Sequence, residues 1–242
     1  MQGALRFTLL PLHLVTLSSH PLSSPLMRRE PRPENRPIIR LLQAIDVCFA
    51  RIYHRLYVRS PQQLPRSGAA IFVCNHISGV DPLLIQSVCP RMISWMVAKE
   101  YTEVRGLGWI FKQIGAIPVE RSGRDLASTR AAMRALANGA VLGVFPEGRI
   151  ETSRELLPFQ TGVALMAIKM RVPVYPAYLD GSQRGREIVE AVLRPCVSSI
   201  AFGREVEFDR NSTAKEALEA ATQKIANAIG DLRDKYGRID LR

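Results

Sequence analysis

The stretch AAIFVCNHISGVDPLLIQSV, residues 69–88, changes from a strand pattern to a helix pattern within a few residues. Its first six residues are apolar and predict a buried strand, and the segment from Asp81 onward predicts a helix. His76 falls in the turn between them, where a histidine can act as a general base near neutral pH. The structural alternative is Asp81 as the N-cap of the helix and His76 as a strand-end residue.

Strand and helix signals alternate along the rest of the chain. The further predicted strands are MISWMVA (92–98), AIPVE (116–120), AVLGVF (140–145), VPVYPAYL (172–179) and VSSIAFGREVEF (197–208). Helix patterns separate the first four of them, and a last helix pattern follows the fifth. The alternation predicts a single α/β domain with a mostly parallel central sheet flanked by helices. In such sheets, ligands bind where strands end and loops lead into helices. Pro173 and Pro176 favour an edge or kinked strand for 172–179.

The N-terminal part of the chain has a different composition. Residues 1–37 are rich in Pro, Ser and Arg and are expected to form a disordered extension, with Met27 as an alternative start. Segment 38–60 has apolar residues at helical spacing with arginines between them. It predicts an amphipathic helix that either packs on the core or lies in an anionic membrane interface. Residues 61–242 are assigned to the α/β domain.

The charge balance indicates an anionic partner. The net charge is +11, which favours nucleic acid, an anionic membrane surface or phosphorylated substrates. Aromatic residues make up only 7% and form no stacking clusters, which argues against nucleic acid. The four cysteines form no CxxC pair and are expected to be reduced and buried, so no zinc site is predicted. The sequence contains no uninterrupted run of 18 apolar residues, so no membrane-spanning helix is predicted.

Two further segments carry charged residues at predicted strand ends. In VFPEGRI, residues 144–150, Pro146 and Gly148 form a turn, and Arg149 is placed to bind a phosphate. An ordinary turn with a surface ion pair would give the same pattern. The second segment, GAIPVER at 115–121, is a weak signal by itself.

Together these segments resemble the glycerophospholipid acyltransferase family, typified by 1-acyl-glycerol-3-phosphate acyltransferase. The resemblance covers about residues 38–236, and four motifs of the family occur here in order. One departure is that Arg149 and Ile150 replace the family's Thr-Arg pair, so the anion-binding role could pass to Arg149 or Arg154. The matching positions are Asn75, His76 and Asp81; Gly115, Ile117 and Arg121; Phe145, Pro146, Glu147 and Gly148; and Val172, Pro173 and Pro176.

The resemblance implies transfer of a fatty acyl group from an acyl thioester to the free hydroxyl of a lysophospholipid. The first expected acceptor is 1-acyl-glycerol-3-phosphate, and another lysophospholipid or a glycerol-phosphate-type acceptor is the alternative. His76 would be the general base, oriented by Asp81. The residues implied to bind the acceptor phosphate are Arg121, Glu147, Gly148, Arg149 and Lys99. The residues implied to support the motifs are Asn75, Gly115, Pro146 and Pro173.

No cofactor or metal is implied, and the donor would be acyl-CoA or acyl-carrier protein. The expected location is the cytoplasmic face of an anionic membrane, as a peripheral or monotopic protein. Trp95 and Trp109 would contact lipid or lie in the core. Two rival functions remain open. One is a thioester hydrolase in which His76 activates water, and the other is a non-enzymatic module that binds anionic membranes.

Overall fold

A mostly parallel sheet forms the centre of the described part of the chain. The computed structural model describes residues 37–104, 106–120, 125–153 and 155–237. Its strands are β1 (Leu56–Val58), β2 (Ala70–Cys74), β3 (Ile93–Ala98), β4 (Ile117–Val119), β5 (Val141–Val144), β6 (Val174–Asp180) and β7 (Ser198–Phe202). They lie in the order β1-β7-β6-β2-β5-β3-β4, and only the β6–β7 pair is antiparallel. The predicted α/β fold is confirmed.

Helices cover both faces of the sheet. They are α1 (Pro37–Cys48), α2 (Asp81–Gln86), α3 (Lys99–Thr102), α4 (Leu107–Gln113), α5 (Leu126–Ala137), α6 (Gly162–Met170), α7 (Ile188–Leu193) and α8 (Lys215–Tyr236). Ile71 and Val73 of β2 pack in one core cluster with residues of α5, α6 and α8. Phe72 and Cys74 pack on the other face with residues of α2 and α7. Because both faces of β2 are covered, its sequence is continuously apolar.

The segment 38–60 is helical over only part of its length. A π-helical turn, Phe49–Tyr53, extends α1, and β1 then pairs in parallel with β7 at the edge of the sheet. The backbone changes direction at Arg55, whose φ is 39°. Tyr57 and Val58 belong to residue types that favour strands. The prediction of a helix through residue 60 is therefore wrong beyond Tyr53.

The proline-containing strand β6 lies inside the sheet, between β7 and β2. The prediction of an edge strand is wrong. Pro176 is tolerated because its pairing with β7 is at the end of the ladder, where the paired register begins only at Ala177. The Pro176 carbonyl still accepts a hydrogen bond from the Gly203 N–H at 2.8 Å. Pro173 precedes the strand, and its carbonyl accepts from the Ile71 N–H at 2.9 Å.

The cysteines and the helix lengths complete the description. All four cysteines are free thiols, and Cys74 and Cys89 are buried. Cys48 is exposed on α1, so the prediction of a buried thiol is wrong there. Among the described residues, no helix is both long enough and apolar enough to cross a membrane.

Candidate active site

His76 and Asp81 meet in the loop between β2 and α2. Nδ1 of His76 lies 3.1 Å from Oδ2 of Asp81. The same oxygen accepts the backbone N–H groups of Ile77 and Ser78, each at 2.8 Å. The loop thus wraps around one carboxylate oxygen, which brings together two residues that are five positions apart. His76 lies on the turn before the helix rather than on the helix itself.

The second oxygen of Asp81 faces the loop that follows β6. Oδ1 accepts a hydrogen bond from the Ser182 hydroxyl at 2.7 Å, and the Asp81 side chain is fully buried. The prediction that Asp81 is the N-cap of α2 is wrong, because Val80 takes that position and Asp81 is the first helical residue. The carboxylate points back to the loop, where N–H and O–H donors satisfy both of its oxygens.

An aromatic stack fixes the plane of the His76 ring. The ring lies on Phe145, with centroids 3.9 Å apart and an interplanar angle of 10°. Phe145 in turn stacks on Trp95 at 4.9 Å. A Cβ at Gly143 would lie 2.5 Å from the Trp95 ring, so glycine makes room for the stack. Trp95 is a core residue, whereas Trp109 is 53% exposed.

The second ring nitrogen of His76, Nε2, is available to a bound molecule. When Nδ1 donates its proton to Asp81, Nε2 is the acceptor nitrogen. Nε2 has no hydrogen-bond partner within the described ranges, and 17% of the side chain is exposed. This geometry allows Nε2 to accept a proton from a bound molecule.

Glu147, which follows β5, supports the His76 loop from the neighbouring strand. Its Oε1 accepts the backbone N–H of His76 at 3.3 Å, and its Oε2 accepts that of Leu157 at 3.4 Å. Burial raises the pKa of Glu147 to about 7, although these two N–H donors act in the opposite direction. The Glu147 side chain thus links the two strand ends at β2 and β5.

The turn after Glu147 requires glycine. Gly148 has a φ of 71°, and a Cβ there would lie 2.4 Å from the side-chain Nε2 of Gln160. The buried Pro146 accepts the Gln160 N–H at 2.9 Å through its carbonyl. These contacts pin the turn and leave the next residue, Arg149, exposed.

A buried ion pair joins the loop after β5 to the loop after β6. Glu151 is 2% exposed and pairs with the Arg184 guanidinium, which also lies 3.7 Å from Asp180. The Glu151 N–H donates to the His76 carbonyl at 2.7 Å. Both neighbouring loops therefore contact the His76 loop.

Asn75 connects the start of the same loop to β6. Its amide group donates to the Leu179 carbonyl at 2.9 Å and accepts the Leu179 N–H at 2.8 Å. Asn75 is 2% exposed, so this side chain acts as a backbone-like bridge inside the sheet.

The remaining positions singled out from the sequence lie at neighbouring strand ends. Arg149 has no hydrogen bond or ion pair with any residue that the structure describes. Lys99 follows β3 and its Nζ lies 3.0 Å from Glu120 after β4, which raises the pKa of Lys99. Gly115, with a φ of 69°, follows α4. Arg121 and Arg154 lie outside the described residues.

Comparison with known proteins agrees with this arrangement. A model of the acyltransferase family matches residues 55–180, slightly more than half of the chain. The chain belongs to the acyltransferase family. The matched segment of this acyltransferase includes His76, Asp81, Glu147 and Arg149.

Individual relatives of the acyltransferase have informative names. It is 25% identical over 183 residues to the 1-acyl-sn-glycerol-3-phosphate acyltransferase of Bacillus subtilis, covering 75% of this chain and 90% of that one. It is 26% identical over 125 residues to the 1-acyl-sn-glycerol-3-phosphate acyltransferase beta of Homo sapiens, covering 50% of this chain and 45% of the human protein. The chain thus spans less than half of the human relative.

The fold is shared with a solved structure. The crystal structure of the 1-acyl-sn-glycerophosphate (LPA) acyltransferase PlsC from Thermotoga maritima superposes with a TM-score of 0.65 at 20% identity. The match covers 83% of this chain and 82% of that one.

Three residues at the acyltransferase site were not found from the sequence. They are Ser182, Arg184 and Glu151. For Ser182 and Arg184, the sequence signal was that the segment DGSQRG (180–185) directly follows a predicted strand, and Glu151 directly follows the segment VFPEGRI. Within the described ranges, no group of three or more His, Cys, Asp or Glu residues is arranged to hold a metal ion.

Proposed function

We propose that this acyltransferase transfers a fatty acyl group from an acyl thioester to the free hydroxyl of 1-acyl-glycerol-3-phosphate, giving phosphatidic acid. The observation that carries the proposal is the His76–Asp81 pair at the carboxyl end of β2, with Nε2 of His76 open to a substrate. The acceptor is taken from the names of the relatives, one of which is covered over 90% of its length.

The chemical step uses the two ring nitrogens of His76 in turn. Nε2 removes the proton of the acceptor hydroxyl as the hydroxyl oxygen attacks the thioester carbonyl carbon. The imidazolium that forms is stabilised by Asp81 through the Nδ1–H. When the tetrahedral intermediate collapses, the C–S bond breaks and the leaving thiolate takes the proton from Nε2. The reaction releases the donor thiol and forms the new ester without an acyl-enzyme.

We assign the acceptor phosphate to Arg149 together with Arg121. The Arg149 guanidinium is exposed and unpaired among the described residues, and a guanidinium matches phosphate geometry with two parallel N–H donors. Gly148 permits close approach of the backbone. Glu147 fits a supporting role better than a phosphate contact, because its oxygens already accept two backbone N–H groups. Lys99 is a secondary candidate, since Glu120 already pairs with it.

The acceptor preference can differ from that of the relatives. Arg149 and Ile150 stand where the family has Thr-Arg, so the phosphate is held one position earlier in this chain. A lysophospholipid with another headgroup is the second candidate acceptor for this reason. The donor is acyl-CoA or acyl-carrier protein, and no cofactor enters the proposed reaction.

A membrane surface is the proposed source of the acceptor. Six exposed apolar side chains, which we call the apolar surface, lie on α1, on its π-helical turn and on α7: Ile38, Leu41, Ile45, Ile52, Val189 and Leu193. The Tyr53 hydroxyl donates to the Leu193 carbonyl at 2.7 Å, which joins the π-helical turn to α7. The Gly79 N–H of the His76 loop donates to the Arg186 carbonyl, just before α7. Hydrogen bonds thus connect the segments that carry the apolar surface to one another and to the loop that carries His76.

The charges around the apolar surface favour an anionic bilayer. The exposed arginines on the same segment are Arg40, Arg51, Arg55 and Arg59. Basic side chains at headgroup level add to the binding of an amphipathic helix by anionic lipids. The anionic leaflet of the plasma membrane is the cytoplasmic one, and we place the protein there as a peripheral protein.

A transfer assay tests the proposed function. Purified protein is mixed with vesicles that contain a panel of lysophospholipids and with either donor, and phospholipid formation is measured. We expect the highest kcat/KM with 1-acyl-glycerol-3-phosphate and loss of transfer in His76→Ala. Fatty acid release without an acceptor would instead favour the hydrolase. Vesicle binding without any turnover would favour the non-enzymatic module.

The phosphate assignment has its own matched pair of variants. Arg149→Ala should raise the KM for the acceptor about tenfold at nearly unchanged kcat, since it removes one charge-assisted contact. Arg204→Ala removes an exposed arginine that follows β7 and should leave both constants unchanged. Equal constants in Arg149→Ala and the parent enzyme would exclude Arg149 from the phosphate site.

A further inference from the structure

The loop after β6 contributes a hydroxyl to the His76–Asp81 pair. We propose that Ser182 is a positioning residue of the acyl transfer, holding the Asp81 carboxylate in the orientation that serves His76. This inference rests on the proposed function, in which His76 is the base. Ser182 itself does not touch the reacting atoms, so it acts through Asp81.

The hydrogen bonds of Asp81 divide unequally between its two oxygens. Oδ2 accepts from His76 and from the backbone N–H groups of Ile77 and Ser78. Oδ1 accepts only from Ser182 among the described residues, at 2.7 Å. Because Asp81 is fully buried, bulk solvent does not reach this oxygen in the folded protein. A buried anionic oxygen without a donor is strongly unfavourable.

Loss of the hydroxyl would release the carboxylate to rotate. The loop N–H groups of Ile77 and Ser78 are fixed by the backbone, but Oδ1 would turn towards any donor it can reach. Such rotation changes the direction of the Oδ2 lone pairs towards Nδ1 of His76. The imidazole would then lose part of the support that fixes its tautomer and stabilises the imidazolium.

Ser182 is held in place from two sides. It is 7% exposed and follows Gly181, whose φ is 88°. Two residues later, Arg184 pairs with the buried Glu151. The Gly185 N–H donates to the Ile77 carbonyl at 2.8 Å, which ties the segment to the His76 loop itself.

The His76 loop and the segment that leads from β6 to α7 also approach each other closely at Gly79. A Cβ at Gly79 would lie 2.4 Å from the backbone nitrogen of Ile188, so only glycine fits between them. The hydroxyl is therefore part of a rigid arrangement, in which the loop after β6 supports the carboxylate directly rather than through water.

Steady-state kinetics of Ser182→Ala test the inference. We expect kcat to fall about tenfold, the size of one hydrogen bond to a charged group, with both KM values unchanged. Ser182→Thr should recover most of kcat, since threonine retains the hydroxyl. The matched control is Ser87→Ala, which removes a hydroxyl that also donates at 2.7 Å, but to the Leu84 carbonyl at the end of α2. This control should keep the parent kcat.

The kinetic results distinguish a Ser182 hydroxyl that positions Asp81 from one that only stabilises the fold. A parent-like kcat in Ser182→Ala overturns the inference. A loss of kcat accompanied by an equal rise in KM, or by lost secondary structure, also overturns it, because the hydroxyl would then serve the fold. If Ser182→Thr does not fold, the kcat and KM values of Ser182→Ala decide alone.

The inference and the proposed function fail in different ways. Full activity in His76→Ala would remove the proposed base, and Ser182 would lose its role with it. An inactive His76→Ala together with a fully active Ser182→Ala would leave the proposed function intact and exclude only Ser182.

Discussion

Asp81 and Asp46 are two carboxylates withdrawn from solvent in different parts of the molecule. Both oxygens of Asp81 accept hydrogen bonds, from three donors within its own loop and from Ser182. Asp46 lies partly buried on α1, and its Oδ2 has no hydrogen-bond partner among the described residues. Burial raises the pKa of Asp46 to about 7. Burial alone therefore does not make a carboxylate useful for catalysis, because the donors around it decide whether the anion is kept.

The surroundings of Asp81 and Asp46 also differ in whether their neighbours find partners within the protein. The His76 loop is hydrogen-bonded to both neighbouring loops through backbone groups, and the Glu151–Arg184 pair joins those two loops to each other. The α1 segment instead presents Leu41 and Ile45, each 56% exposed, to the surroundings. One region has its polar partners within the protein, and the other has apolar groups for which a bilayer would be a better solvent than water.

The largest expected effect is on catalysis, and the same chemical change can be made at both sites. Asp81→Asn should lower kcat about a thousandfold, since the neutral amide no longer stabilises the imidazolium or fixes the tautomer of His76. Asp46→Asn should leave kcat within a factor of about two of the parent value, because among the described residues no hydrogen bond or ion pair joins Asp46 to the His76 loop. Steady-state transfer rates at saturating substrate measure both. Equal losses in the two variants would show that the distinction between the sites is wrong.

The catalytic pair could be found from sequence because its evidence is local. His76 and Asp81 are five positions apart and directly follow the apolar strand AIFVC, so neighbouring residues were enough to place them. Ser182 lies 101 positions from Asp81. Their contact depends on β6 lying beside β2, whereas the two prolines of β6 favoured an edge or kinked strand. Local patterns do not determine strand order, so this partner needed the structure.

The α1 segment shows a second limit of sequence reasoning. Its apolar residues follow helical spacing, but they occupy two faces. Ile39 is fully buried, whereas Ile38 and Ile45 are exposed. Periodicity identifies apolar faces without saying which one is covered. The sequence alone could therefore not separate the buried face of this helix from the exposed one.

A third carboxylate sharpens the comparison, because Glu151 is buried with a cation rather than with neutral donors. Arg184→Met keeps the aliphatic stem but leaves Glu151 as an unpaired buried charge, which should lower the free energy of unfolding by about 3 kcal/mol. Arg186→Met breaks an exposed pair with Glu190 and should cost less than about 1 kcal/mol. Urea denaturation near pH 7.5 measures both. A similar small loss in the two variants would mean that Glu151 takes up a proton once Arg184 is gone.

The raised pKa of Asp46 predicts a pH-dependent stability. The folded protein binds the Asp46 proton more tightly than the unfolded chain, so the contribution of this group is greatest below pH 4 and is lost as the pH rises through about 7. Asp46→Asn removes this loss. Its free energy of unfolding should exceed the parent value by about 2 kcal/mol at pH 8, and the difference should shrink towards pH 4. Denaturant titrations of both proteins at several pH values measure it, and a difference that does not change with pH would contradict the unpaired burial of Asp46.

The smallest expected effect concerns the apolar surface beside Asp46. Ile45→Gln removes one exposed apolar side chain from α1 and should weaken binding to anionic vesicles about fivefold, which corresponds to about 1 kcal/mol for a partly inserted side chain. Leu126→Gln changes an equally apolar residue that is 66% exposed at the start of α5, outside the apolar surface, and should not alter binding. Vesicle co-sedimentation measures both affinities.

The two variants should also share the parent kcat with a short-chain acceptor in free solution, because the α1 side chain contacts lipid and does not contact the His76 loop. Equal weakening by Ile45→Gln and Leu126→Gln would mean that general surface hydrophobicity, and not α1, brings the enzyme to the bilayer.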